Sequence, residues 1–147
     1  MSRRTARKNA FLALYQSDVS GRPVAEVLER WREYRGEIDA YAERLTRGVE
    51  GERESLDALL GEVAAGWPVH RMSAIDRTIL RLALYEMLYV DDVPAEVATG
   101  EAMELAKGFS SDEAPQFVGG VLRGAREAGP EGSDASREGS DRRVEYG

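Results

Sequence analysis

From Ile75 to Val90 almost every residue is apolar, and the exceptions are Asp76, Arg77, Thr78, Arg81 and Glu86. A helix that is apolar on all sides is surrounded by other helices, so this segment predicts the centre of a helical assembly. An ionised group buried without a partner costs several kcal/mol, so the polar exceptions are expected to face water or partners. Ser73 is placed to cap this helix, with Asp76 at the reciprocal position of a capping box.

The flanking sequence keeps the helical period. Arg3 to about Ser17 carries Ala6, Ala10, Ala13 and Leu14 at that spacing, and Val24 to Tyr34 carries Val27, Leu28 and Trp31. Glu37 to about Gly51 repeats the pattern through Ile38, Tyr41, Ala42, Leu45 and Val49, and Glu52 to Ala65 through Leu56, Leu59, Leu60 and Val63. Between them, Asp18 to Pro23 reads as a turn, Gly36 as a stop and Gly66-Trp67-Pro68 as a break. Pro94 opens another helix to about Gly108. Ser110 with Glu113 forms a second capping-box pattern ahead of a last helix reaching about Ala128. No segment alternates as a strand would. The expected fold is all-α, with six or seven helices in one domain over residues 1–128. Residues 129–147, rich in Gly, Ser and acids, are expected to be a disordered acidic tail.

Several chemistries are excluded by what the chain lacks. With no cysteine there is no disulfide, thiolate zinc site or cysteine nucleophile, and a reducing compartment fits. No apolar run approaches the roughly 18 residues of a membrane helix, and the charged start is not followed by an apolar core, so a soluble cytoplasmic protein is expected. His70, the sole histidine, follows a Trp-Pro break with no serine and acid arranged for nucleophilic catalysis, and reads as a surface or helix-start residue. Glu101 and Glu104 share a helix face, but no Glu-x-x-His motif exists to make a di-metal site, so they read as a solvated or partner-facing acidic face. No catalytic residue, metal or cofactor is expected.

The formal net charge of -7 conceals an uneven distribution. Arg3, Arg4, Arg7 and Lys8 crowd the first ten residues without an acid, whereas Glu86 to Glu113 holds eight acids against the single base Lys107. Cations on the opening turns of a helix, followed about three turns later by Tyr15, suit single-stranded nucleic acid: arginines neutralise phosphates and an exposed ring stacks on a base. The same pattern also suits a solubilising first turn with Tyr15 in the core, and spacing alone leaves both open. Cations at the positive end of a helix are unfavourable by a few tenths of a kcal/mol, so a compensating anion is expected.

Taken together, Arg3-Arg-Thr-Ala-Arg7, Ala13-Leu-Tyr15, Asp76-Arg-Thr-Ile-Leu-Arg-Leu-Ala-Leu-Tyr-Glu86, Val93-Pro94, Glu101-Ala-Met-Glu-Leu-Ala-Lys107 and Phe117-Val-Gly-Gly-Val-Leu122 resemble the NusB family of bacterial transcription antitermination factors over about residues 3–126. The resemblance implies two packed helical bundles. It also implies binding of boxA single-stranded RNA together with NusE, a small-subunit ribosomal protein, in the transcription elongation complex. The family's RNA-binding arginines fall on Arg3, Arg4 and Arg7, with Lys8 beside them, and its RNA-facing aromatics on Tyr15 and Phe117. Glu113 matches an acid at the RNA edge; Asp76 matches an acid that faces NusE, and Glu101 and Glu104 extend that acidic face. With about four phosphates engaged, counterion release from a single strand predicts a log-log salt slope near -3.

Two departures stand out, because the family usually has Asn where this chain has Gly100 and Gly119. The expectation is that these positions face each other across adjacent helices and that their joint change lets the backbones approach. Two other functions are compatible with the residues: a protein-only adaptor that has lost RNA binding, and the NusB-like domain of a ribosomal RNA methyltransferase system. Both a monomer and a homodimer fit the family.

Overall fold

The computed structural model describes residues 2–64 and 66–128; the tail expected over 129–147 lies outside them. Seven α-helices and a short 3-10 turn, with no strand, make up the described residues. They are α1 (Arg3–Ser20), α2 (Val24–Arg35), α3 (Ala40–Gly51), α4 (Arg53–Val63), α5 (Ala74–Tyr89), α6 (Ala95–Phe109) and α7 (Ala114–Ala128), with the turn Val69–Arg71 between α4 and α5.

Helix ends follow local chemistry. Ser2 caps α1 by accepting from the Thr5 N–H. The helix runs on through the expected turn at Asp18, because Gly21, at φ 76°, is the residue able to take the left-handed conformation that ends it. The third helix starts at Ala40 instead of Glu37, where Asp39 accepts from the Tyr41 N–H at 2.8 Å. Ser73 caps α5 as expected, but the Asp76 carboxylate accepts instead from the Ser110 hydroxyl at 2.7 Å. Ser110 therefore ties the end of α6 to the start of α5, and the second capping box does not form; α7 begins only at Ala114.

The apolar helix is central. Helix α5 packs against α1, α3, α4, α6 and α7, with Ile79, Leu80, Leu82 and Leu84 buried among them. Helices α1 to α3 pack on one another as one bundle and α4 to α7 as a second, joined through α5 against α1 and α3. Its polar exceptions meet partners. Arg77 chelates Asp18 of α1 at 2.7 and 3.2 Å, Arg81 chelates Asp57 of α4 at 2.8 and 3.0 Å, and Glu86 accepts from Arg7 of α1. Thr78 is different: its Oγ1 is buried with no hydrogen-bond partner among the described residues.

The two glycines do not face each other. Gly100 is exposed, and a Cβ added there would meet nothing within 4 Å. Gly119 is buried against α6, where a Cβ would lie 2.8 Å from Met103 Sδ. Only the second glycine serves close packing of α6 on α7.

Candidate nucleic-acid interface

Helix α1 opens with no acid in its first turn, and the fold itself supplies anions to its three arginines. Arg3 donates to Asp92 at 3.1 Å and lies 4.2 Å over the Tyr41 ring. Arg4 grips Glu101 through two bonds of 3.2 and 2.9 Å. Arg7 turns inward: its side chain is 8 % exposed, and its Nε donates to both oxygens of buried Glu86 at 2.8 Å. The Tyr41 hydroxyl also donates to Glu86, and a second Arg7 nitrogen lies 3.9 Å from Glu101. Lys8 is exposed and has no carboxylate partner among the described residues.

These contacts set the charges. The Arg4 hydrogen bond holds the Glu101 carboxyl below its usual range, and the Arg3 hydrogen bond does the same for Asp92. Burial, reinforced by the bond to Glu86, pushes the Tyr41 phenol up. Arg3–Asp92 lies in solvent and Arg4–Glu101 joins an exposed guanidinium to a half-buried carboxylate, so screening leaves both pairs weaker than a fully buried one. Arg7–Glu86 is a buried pair whose rupture would strand a charge, so Arg7 is a structural anchor between α1 and α5 and is closed to solvent ligands.

The aromatic residues continue from this end. Tyr15, half-buried, stacks on Phe11 at 6.2 Å, and Phe11 meets Phe109 at 5.0 Å. Since Arg4 reaches Glu101 and Phe11 reaches Phe109, α1 and α6 run side by side in the same direction. Beyond Phe109 comes the Ser110–Asp76 bond, and Asp76 opens onto a concavity of about 210 Å³ with Phe117, Glu113, Trp67 and Met72. The half-buried Phe117 ring sits edge-on to Trp67, with centroids 5.9 Å apart.

The residues expected at an RNA face and those expected at a protein face are therefore interleaved. Asp76, assigned to NusE, shares a concavity with Phe117 and Glu113, assigned to RNA. Glu101 is engaged by Arg4, while Glu104 is exposed on the same helix. Sequence reasoning missed Tyr41, Asp92, Phe109 and Trp67. The signal for Trp67 was a large aromatic within a Gly-Trp-Pro break, where no helix could bury it, and it is 55 % exposed. Among the described residues, no group of three or more His, Cys, Asp or Glu could hold a metal ion, and no helix is long and apolar enough to cross a membrane.

Residues 4–127 match the sequence model of the NusB family. The transcription antitermination protein NusB of Rubrobacter xylanophilus is 71% identical over 127 residues, covering 86% of this chain and 91% of that protein. Among solved structures, T. maritima NusB superposes with a TM-score of 0.79 at 33% identity, covering 89% of this chain and 95% of that one. A crystal structure of the antitermination factors NusB and NusE in complex with double-stranded RNA gives 0.77 at 25% identity, covering 86% and 96%.

Proposed function

Since the chain belongs to the NusB family of transcription antitermination proteins, a binding family and not an enzyme, we propose that it holds boxA RNA and NusE together in the transcription elongation complex. The observation that carries the reading is that exposed Arg3, Arg4 and Lys8 open the same helix that carries Tyr15, whose neighbour Phe11 meets Phe109 just before the Ser110–Asp76 bond and the concavity of Phe117. Single-stranded RNA lies along these residues with phosphates on the cations and bases on the rings. Arg7 positions this helix start through Glu86 and makes no phosphate contact. Asp76 and exposed Glu104 offer carboxylates to a basic protein such as NusE. A solved complex of NusB relatives with NusE and RNA supports both partners.

With Arg7 withdrawn, three phosphates remain engaged, and the expected log-log salt slope falls from near -3 to about -2. Fluorescence anisotropy with a labelled boxA strand across a salt series tests this. Phe117→Asp, shown to be folded by circular dichroism, should weaken binding by roughly 5- to 150-fold, the worth of one base stack. Salt-independent affinity, or a folded Phe117→Asp that binds like the unaltered protein, would overturn the reading. The internal pairing of Arg3, Arg4 and Arg7 favours one other function, a protein-only adaptor. Absence of RNA binding from a folded protein that still takes NusE would establish it. The methyltransferase reading is disfavoured by the 71% identity to the transcription antitermination protein NusB of Rubrobacter xylanophilus.

A further inference from the structure

We propose that the open cleft between α4, the turn Val69–Arg71 and the start of α5 is a second phosphate site, taking the RNA backbone beyond the strand held at the start of α1; this rests on the RNA-binding reading above. The cleft has a volume of about 930 Å³. Four guanidiniums line it, from Arg53, Arg71, Arg77 and Arg81, against one lining carboxylate, Asp57, with Asp18 behind.

Two of the arginines are committed. Arg77 chelates Asp18 and donates its remaining Nη1 to the Met72 carbonyl at 3.1 Å, and Arg81 chelates Asp57. They fix the cleft wall and its charge. The other two have donors to spare. Arg53 is half-exposed, and its nearest carboxylate oxygens stand 3.8 and 3.9 Å away, beyond hydrogen-bond reach. Arg71 is exposed with no carboxylate partner among the described residues. Four arginines over two aspartates leave an excess of two positive charges, and guanidinium forks match phosphate oxygens in pairs.

Position selects RNA over other anions. Gly66 and Pro68 line this cleft, while Trp67 between them lines the neighbouring concavity with Phe117. A base stacked on Trp67 or Phe117 would thus deliver its following phosphates across the 66–71 segment toward Arg53 and Arg71. The site is separate from the cations of α1: Arg77 is held by Asp18, about 22 Å along that helix from Arg3 at 1.5 Å per residue.

The test compares a short boxA strand with the same strand extended by about six nucleotides at either end, against the unaltered protein and Arg53→Gln/Arg71→Gln. The extended strand should bind the unaltered protein with a salt slope steeper by about 1.4, at roughly 0.7 per phosphate, and the double variant should lose that increment. This is about a sevenfold difference in affinity lost between 50 and 200 mM salt. The short strand should bind both proteins equally. An extension that adds nothing, or an increment that survives the double variant, overturns this inference alone, whereas failure of the short strand to bind the unaltered protein strikes the function proposed above. Inorganic phosphate that shifts the Arg53 and Arg71 side-chain NMR signals, without any effect of strand extension, would show a small-anion site and overturn the assignment to RNA.

Discussion

Replacing Glu86 by Gln removes one charge from the best-buried ion pair among the described residues. Glu86 is 1% exposed and Arg7 7%, and the two bonds between them measure 2.8 Å. Removing one partner of such a pair costs about 3–5 kcal/mol, because the other charge stays buried. The Gln amide oxygen still accepts from Arg7 or Tyr41, and Glu101 at 3.9 Å partly offsets the Arg7 charge, so about 3 kcal/mol applies here. A fold of roughly 125 residues unfolds with an entropy near 0.26 kcal/mol/K, so the melting temperature should drop by about 11 °C. Thermal unfolding followed by circular dichroism measures it. Arg7→Gln/Glu86→Gln should be less destabilised than the sum of its single variants by at least about 1 kcal/mol, as groups in direct contact require. A drop under about 3 °C, or strict additivity, would refute Arg7 as a structural anchor and return it to the RNA surface.

Other consequences follow from the same contacts. Glu101→Gln releases Arg4 and should tighten RNA binding a few-fold by anisotropy; unchanged affinity would mean that the pair does not compete with phosphate. Glu101 and Asp92 have folded pKa values below their ordinary 4.5 and 3.8, so the stability they contribute is present above those values and lost as pH falls through the lower folded ones. Urea midpoints at pH 6 and pH 3 should therefore differ less in Glu101→Gln than in the unaltered protein, and an equal difference would contradict the pairing. Gly119→Asn must displace Met103 and should cost about 1–3 kcal/mol, whereas Gly100→Asn on an open helix face should stay within about 0.5 kcal/mol, both read from urea unfolding.

The helices were legible because their apolar spacing is strong, and α5 announced its central place by being apolar all round. Ends were legible where a cap or glycine decides them, as at Ser73 and Gly36. They were misread at Ser110, which the sequence offers equally as a cap for α7 and which the fold uses to bond Asp76 of α5. The demand of the α1 cations for an anion was also legible, as was the need of Glu86 for a partner. That Arg7 and Glu86 answer each other, 79 positions apart, depends on how α1 lies against α5, and no local pattern encodes it. The facing of Gly100 and Gly119 failed for the same reason: helical spacing fixes a residue's face on its own helix and says nothing of the neighbour opposite.

The central claim is that one surface joins RNA to NusE, and the most direct measurement is the dissociation constant of boxA RNA with and without saturating NusE. The account predicts that NusE tightens RNA binding at least about tenfold, a coupling of about 1.4 kcal/mol, and that RNA tightens NusE binding by the same factor. An RNA affinity that NusE leaves unchanged would contradict it.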